Sequence, residues 1–166
     1  VEHITHSSRR QEVSEYVESS LRKTDRERSV VTREKTGVDT GARAINPAND
    51  QEIPVFIADY VFFTYGHGAI MAVPGHDERD HEFALQRGLP IRRVLTGGEE
   101  EDICQAAHPG EGTLVNSGFL DGLTKDSAIQ AMIEWLESEG KGEGAVNYKL
   151  RDWLFSRQRY WGEPFP

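Results

Sequence analysis

Residues 66–84 read GHGAIMAVPGHDERDHEFA and gather three histidines and four acidic residues in one stretch. An apolar run from Ala69 to Val73 breaks at Pro74-Gly75 and is followed at once by His76, Asp77, Asp80 and His81. A strand feeding a Pro-Gly turn and an acid-rich helix start builds a pocket that is oily on one side and anionic on the other. Such a pocket suits a small molecule carrying both an apolar side chain and a positive charge, as an amino acid does.

Asp77 and Asp80 are three apart, so on a helix they share one face near its N-terminus. Two readings follow. In one, Asp77 caps the helix and Asp80 complements its dipole. In the other, at least one carboxylate holds an ammonium group through a charge-assisted hydrogen bond, because a buried carboxylate without such a partner is costly.

The histidines suggest less. His76-Asp77 is the dipeptide of the HD-type metal phosphohydrolases, but those enzymes are helical and draw their ligands from distant parts of the chain, so no metal is expected. His81 is read as a local surface pair with Asp77, and His67, between two glycines, as shaping a turn or a pocket rim. Cys104 lies beside Glu101 and Asp102, whose charges oppose thiolate formation, so it makes a poor nucleophile. No Ser-His-Asp or Cys-His arrangement stands out, and any hydrolysis is expected to use an oriented water. Near the end, Tyr148, Trp153, Tyr160 and Trp161 alternate with Lys149, Arg151, Arg157 and Arg159. This pattern suits either stacking on single-stranded RNA or packing against a neighbouring domain.

The elements that position these residues are read from periodicity and punctuation. Val13, Tyr16, Val17 and Leu21 form one apolar stripe, predicting a helix over 8–24 with Ser7 or Ser8 as its cap. Strands are predicted at about 38–45, 53–58, 60–64 and 69–73, the first two joined by the turn Asn46-Pro47-Ala48-Asn49-Asp50. A helix capped by Asp77 should run to Arg87 and end at Gly88. A strand is expected at Ile91–Leu95, a surface loop over 97–112, and a helix over 125–138. That helix should be capped by Thr124, stopped by Gly140 and apolar along Ala128, Ala131, Met132, Trp135 and Leu136. Residues 146–155 and 157–161 read as a ribbon. Short strands with two or three helices, lacking regular βαβ alternation, predict an α+β fold with a β-barrel-like core and peripheral helices.

The whole chain sets bounds on these readings. Its 166 residues suffice for one domain with a real core, and 37% hydrophobic with 28% charged residues is a globular composition. The net charge of −9 provides no electrostatic footprint for a nucleic-acid backbone, so RNA contact must be local or supplied by a larger protein around it. One cysteine excludes an internal disulfide and fits a reducing compartment. No apolar run approaches the roughly 18 residues of a membrane span, so no membrane is expected as a partner and the cytoplasm is the expected location. The start at Val1 and the stop just after Trp161-Gly162 read as the ends of a segment taken from a longer protein.

With these residues assembled, a resemblance emerges. GHGAIMAVPGHDERDHEFA is similar to the core motif of the editing domain of bacterial-type leucyl-tRNA synthetases. The preceding TGARAINPANDQEIPVFIADYV and the terminal NYKLRDWLFSRQRYWGEPFP resemble the same family, so the likeness runs from about Gly37 to Pro166. It implies an editing domain over residues 1–145 and, over 146–166, a ribbon returning to the class I catalytic domain.

The activity implied is post-transfer editing, the hydrolysis of the ester joining a wrong amino acid to the 3′-terminal adenosine of leucine tRNA. A missing or added methylene offers only about 1–3 kcal/mol of discrimination, so a second, hydrolytic site supplies the remaining accuracy. By position in the motif, Asp80 matches the aspartate that binds the substrate ammonium. Met71 and Val73 match positions lining the amino-acid pocket, and Tyr65, His76 and Asp77 lie beside it. Editing is expected to need no cofactor, whereas the full-length synthetase uses ATP and magnesium. The expected partners are the 3′ end of leucine tRNA, amino acids, and the rest of the synthetase in cis.

The chain departs from the family pattern at two places. The family's motif Thr-Thr-Arg-Pro-Asp-Thr, which forms part of the water and adenosine environment, does not occur here; Thr32-Arg33-Glu34-Lys35-Thr36 is a superficial echo. His67 stands where many relatives carry threonine. The expectation is therefore a domain truncated on its N-terminal side. In isolation it would be a poor catalyst, or a non-catalytic fragment that binds an amino acid or a tRNA end weakly.

Overall fold

The computed structural model describes residues 1–22, 35–61, 68–96, 103 and 105–146. Tyr65, His67, Cys104, the expected strand positions 62–64 and residues 147–166, where a ribbon is expected, lie outside the described residues, as do Thr32, Arg33 and Glu34. Among the described residues the fold is a mixture of helix and sheet, with two separate two-stranded antiparallel sheets. No closed barrel is present among the described residues.

Helix α1 (Arg10–Leu21) forms on the apolar stripe read from the sequence, with Val13 buried on its inner side. Its start differs from expectation: Ser7–Arg9 is a short 3-10 turn, capped by His6, whose Nδ1 accepts from the Ser8 amide. The His6 amide in turn donates to Thr40 O at 2.9 Å, which fastens the N-terminal segment to the first strand.

Strands β1 (Gly37–Ile45) and β2 (Glu52–Ala58) pair antiparallel from Gly37 against Ala58 to Ile45 against Glu52. The register slips between Asp39 and Arg43, where β1 carries extra residues as a bulge. Thr40 is fully buried at that bulge and donates to Val55 O at 2.7 Å, holding the irregularity in place. In the connecting turn the Asn46 side chain accepts from the Ala48 amide and the Asn49 side chain from the Gln51 amide. Such local side-chain caps are why asparagine serves turns.

Helix α2 (Glu78–Arg87) follows the Pro-Gly turn and lays Phe83 and Ala84 into the core beside Val38 and Tyr60. Phe83 meets Phe56 edge-on at 5.3 Å and Tyr60 at 5.7 Å, so β2, its following turn and α2 share one aromatic cluster. The Arg87 guanidinium covers Phe83 and donates to Gly37 O. Gly88 ends the helix at φ 62°, the left-handed cap that glycine adopts without a Cβ penalty.

The remaining elements are smaller. Strands β3 (Leu95–Thr96) and β4 (Thr113–Leu114) form a two-residue ladder. Helix α3 (Lys125–Ser138) follows, with Ala128 buried and Trp135 against Phe119 at 5.7 Å. Thr124 occupies the cap position, but its hydroxyl bonds Ser127 Oγ rather than the helix amides.

Two expected strands do not form as such. Residues 69–73 join no strand, because the Val73 amide donates to the Asp80 side chain instead of a neighbouring backbone. The strand at Ile91–Leu95 shrinks to Leu95–Thr96: the amides of Val94 and Leu95 both point at the His76 ring.

Candidate functional site

The site is built around the turn between Val73 and Asp77. Val73 O accepts from the amides of His76 and Asp77, both at 2.9 Å, closing the turn through Pro74-Gly75. Gly75 is buried, and a Cβ there would come 2.5 Å from Arg92 O, so only glycine lets the two backbones approach this closely. The amide of His108 donates to Gly75 O at 2.9 Å.

His76 clasps this arrangement. Its Nδ1 donates to His108 O at 2.8 Å, and its Nε2 accepts from the amides of Val94 and Leu95 at 3.1 Å each. That pattern defines a neutral ring whose two nitrogens are both spent on backbone. His108 packs edge-on to it at 6.3 Å, with a buried Nε2 that has no hydrogen-bond partner among the described residues.

The two aspartates take different roles. Asp77 is the N-cap of α2: its Oδ1 accepts from the amides of Arg79 and Asp80 at 2.9 and 3.2 Å. The Arg79 guanidinium lies 3.2 Å from Oδ2. Burial acts to raise the Asp77 pKa, but the Arg79 hydrogen bond, the capped amides and the Arg79 charge together hold it below the usual carboxylate range. Asp77 thus follows the capping reading.

Asp80 does not. It lies in the first turn of the same helix but is buried, with only 7% of its surface exposed. Its Oδ1 accepts from the Tyr60 hydroxyl at 3.0 Å and its Oδ2 from the Val73 amide at 2.8 Å. Both donors are neutral; among the described residues no direct ion pair reaches it, although the Arg79 charge acts on it from further off. Burial pushes the Tyr60 phenol well above its ordinary value, and the neighbouring Asp80 charge and hydrogen bond push it further, so Tyr60 keeps its proton.

Met71 and Val73 are 55% and 43% exposed, and Ile70 is 45% exposed beside them. Asp80 therefore meets Val73 through the backbone, while the apolar side chains stand outward as a small open patch. His81, read as a surface pair with Asp77, is instead buried and donates through Nε2 to Ile103 O at 2.9 Å. No group of three or more His, Cys, Asp or Glu placed to share a metal ion occurs among the described residues.

Sequence reasoning missed Tyr60 and His108. Tyr60 precedes Asp80 by twenty positions and read as part of an apolar strand. His108 sat in a glycine-rich loop with no periodic signal, and only the chain's return past Gly75 makes it part of the site.

The family model described as leucyl-tRNA synthetase, editing domain, matches residues 1–137. The chain is also similar to the agnB2 leucyl-tRNA synthetase of Agrobacterium radiobacter K84, solved as a ternary complex with tRNA and LeuAMS. The two share 31% sequence identity with a TM-score of 0.66, over 87% of this chain and 15% of that one. The chain belongs to the leucyl-tRNA synthetase editing-domain family. It spans about 15% of the length of that synthetase. The family match starts at Val1, so α1 and the N-terminal turn belong to the domain too, upstream of Gly37 where the sequence likeness was placed. It stops at residue 137, short of the aromatic and basic run from Tyr148 onward.

Proposed function

We propose that this chain forms the amino-acid-holding part of a post-transfer editing site that hydrolyses the ester of mischarged leucine tRNA. The observation that carries the reading is Asp80, a buried carboxyl held by two neutral donors beside exposed Met71 and Val73. Neutral donors orient a carboxylate without cancelling its charge, which leaves it suited to a cationic ligand. The family match supports reading the ligand as an aminoacyl ester.

In this reading the substrate ammonium binds Asp80 and the amino-acid side chain lies over Met71 and Val73. Water attacks the ester carbonyl carbon, the bond to the ribose oxygen breaks, and that oxygen leaves with a proton. The chain's part is orientation, because an aminoacyl ester is already reactive and a well-placed water gains most of the remaining rate. Asp80 spends both oxygens on fixed donors, so it serves as an anchor rather than a general base. We place His76 and Asp77 as supports of the turn that carries it, since their polar atoms are engaged by the protein itself.

Several elements of the reading extend beyond these residues. The barrel-like closure of the domain, the threonine-rich wall, the catalytic domain in cis and its use of ATP and magnesium are assigned to the larger synthetase, as is a cytoplasmic location. Editing itself is assigned no cofactor.

The test is deacylation of mischarged leucine tRNA by a leucyl-tRNA synthetase carrying this chain as its editing domain. Asp80→Ala should abolish deacylation while leucine activation continues. Deacylation within a few-fold of the parent enzyme would refute the assignment.

A further inference from the structure

Asp80 Oδ1 is held by a side chain that lies outside the stretch 66–84. Tyr60 lies in the turn after β2, and its hydroxyl reaches Asp80 Oδ1 at 3.0 Å across the interior. We propose that Tyr60 is a positioning residue of the editing site, its hydroxyl setting the Asp80 carboxylate in the orientation that receives the substrate ammonium. The proposal rests on the role given to Asp80 above.

Three observations support it. The carboxylate is tethered at both ends, by Tyr60 on Oδ1 and by the Val73 amide on Oδ2. Two such bonds fix the rotation of the carboxylate plane, yet each oxygen keeps a lone pair for a further donor. Next, Tyr60 itself is held: its ring packs on Phe83, and Phe83 lies against Phe56 on β2 and under the Arg87 guanidinium. Phe83 is three residues beyond Asp80 on α2, so one tyrosine touches both the body of that helix and its acid. Finally, Tyr60 is a neutral donor that keeps its proton, because burial and the adjoining carboxylate both oppose ionisation. A lysine or arginine at this place would orient Asp80 equally well but would compete with the ammonium for its charge.

The alternative is that Tyr60 matters only to stability, and a pair of ligands separates the two. One is 3′-norvalylamino-3′-deoxyadenosine, an amide-linked analogue that cannot be hydrolysed; the other is its counterpart lacking the α-amino group. Both are titrated against a leucyl-tRNA synthetase carrying this chain, with retained binding of the counterpart confirming that the editing domain of each variant is folded. Tyr60→Phe keeps the ring and removes only the hydroxyl. It should weaken binding of the amino analogue about tenfold, within the range for a hydrogen bond to a charged group, and leave the counterpart within about twofold. Adding Tyr60→Phe to Asp80→Ala should cost nothing more than Asp80→Ala alone, because the two act as one unit. Tyr60→4-aminophenylalanine retains a neutral donor and should restore the preference for the amino analogue.

Equal losses on both analogues, or an unchanged preference, would overturn the role of Tyr60. If Asp80→Ala abolishes the preference while Tyr60→Phe keeps it, the inference fails and the editing assignment stands. If Asp80→Ala keeps the preference, the assignment of Asp80 fails and the role of Tyr60 falls with it.

Discussion

Asp77 and Asp80 are chemically identical, three residues apart, and do different work because their surroundings differ. Asp77 stays partly exposed, with side-chain access of 37%, and is stabilised by helix amides and the Arg79 guanidinium. Its folded pKa lies below the ordinary value of 3.8, so its contribution to stability is fully present above that pH. The contribution is lost as pH falls through the folded value. Asp77→Ala should therefore lower stability by about 1 kcal/mol near neutral pH, the usual cost of losing an N-cap. Denaturant titrations should show that difference narrowing below about pH 4, and a gap that persists at pH 2 would contradict the capping role. Asp80→Ala should act more broadly. It strands the Tyr60 hydroxyl and the Val73 amide, a penalty of about 1–3 kcal/mol for each buried group left unsatisfied. Urea melts would show that loss even where the editing assay reports only loss of activity.

Elements here are joined by backbone groups that side chains have captured. His76 takes two amides from the approach to β3, Asp80 takes one from residues 69–73, and Thr40 holds the β1 bulge. The Pro-Gly turn is the tightest of these junctions. Gly75→Ala should cost about 2–3 kcal/mol, because its Cβ meets the Arg92 backbone, which cannot yield as a side-chain tip does. Gly88→Ala should cost only about 1 kcal/mol, since nothing lies near that position and the loss is conformational alone. Thermal or urea denaturation of the two variants should give that order. The reverse order would mean that the turn is looser than its geometry shows.

At the scale of the molecule, the chain carries the proposed anchor for an amino acid but no Thr-Thr-Arg-Pro-Asp-Thr motif. Misplacement of one part of an oriented site by about an ångström costs roughly 100-fold. A net charge of −9 also gives residues 1–166 little attraction for a tRNA end. We expect no measurable hydrolysis of mischarged leucine tRNA by these residues alone, and restored hydrolysis when the threonine-rich segment is joined upstream. Brisk hydrolysis by the 166-residue chain would show that the residues described above already complete the site.

Local rules determined much of this protein from sequence. The start of α2 at Asp77 and its stop at Gly88, the β1–turn–β2 hairpin and the extent of α3 all follow from caps, turn residues and periodicity. These are interactions between residues a few positions apart, so the sequence alone contains both partners. The family was legible too, because its motif is one continuous stretch. Tertiary structure alone decided which atoms face each other across the turn. Asp80 finds its partners at Tyr60 and Val73, His76 at Val94, Leu95 and His108, and His81 at Ile103. Those contacts trade strand pairing for side-chain bonds, which is why the expected strands over 69–73 and 91–95 shrink or vanish. A periodic pattern records which face of an element is apolar; it cannot record where a buried polar atom twenty residues away finds its donor.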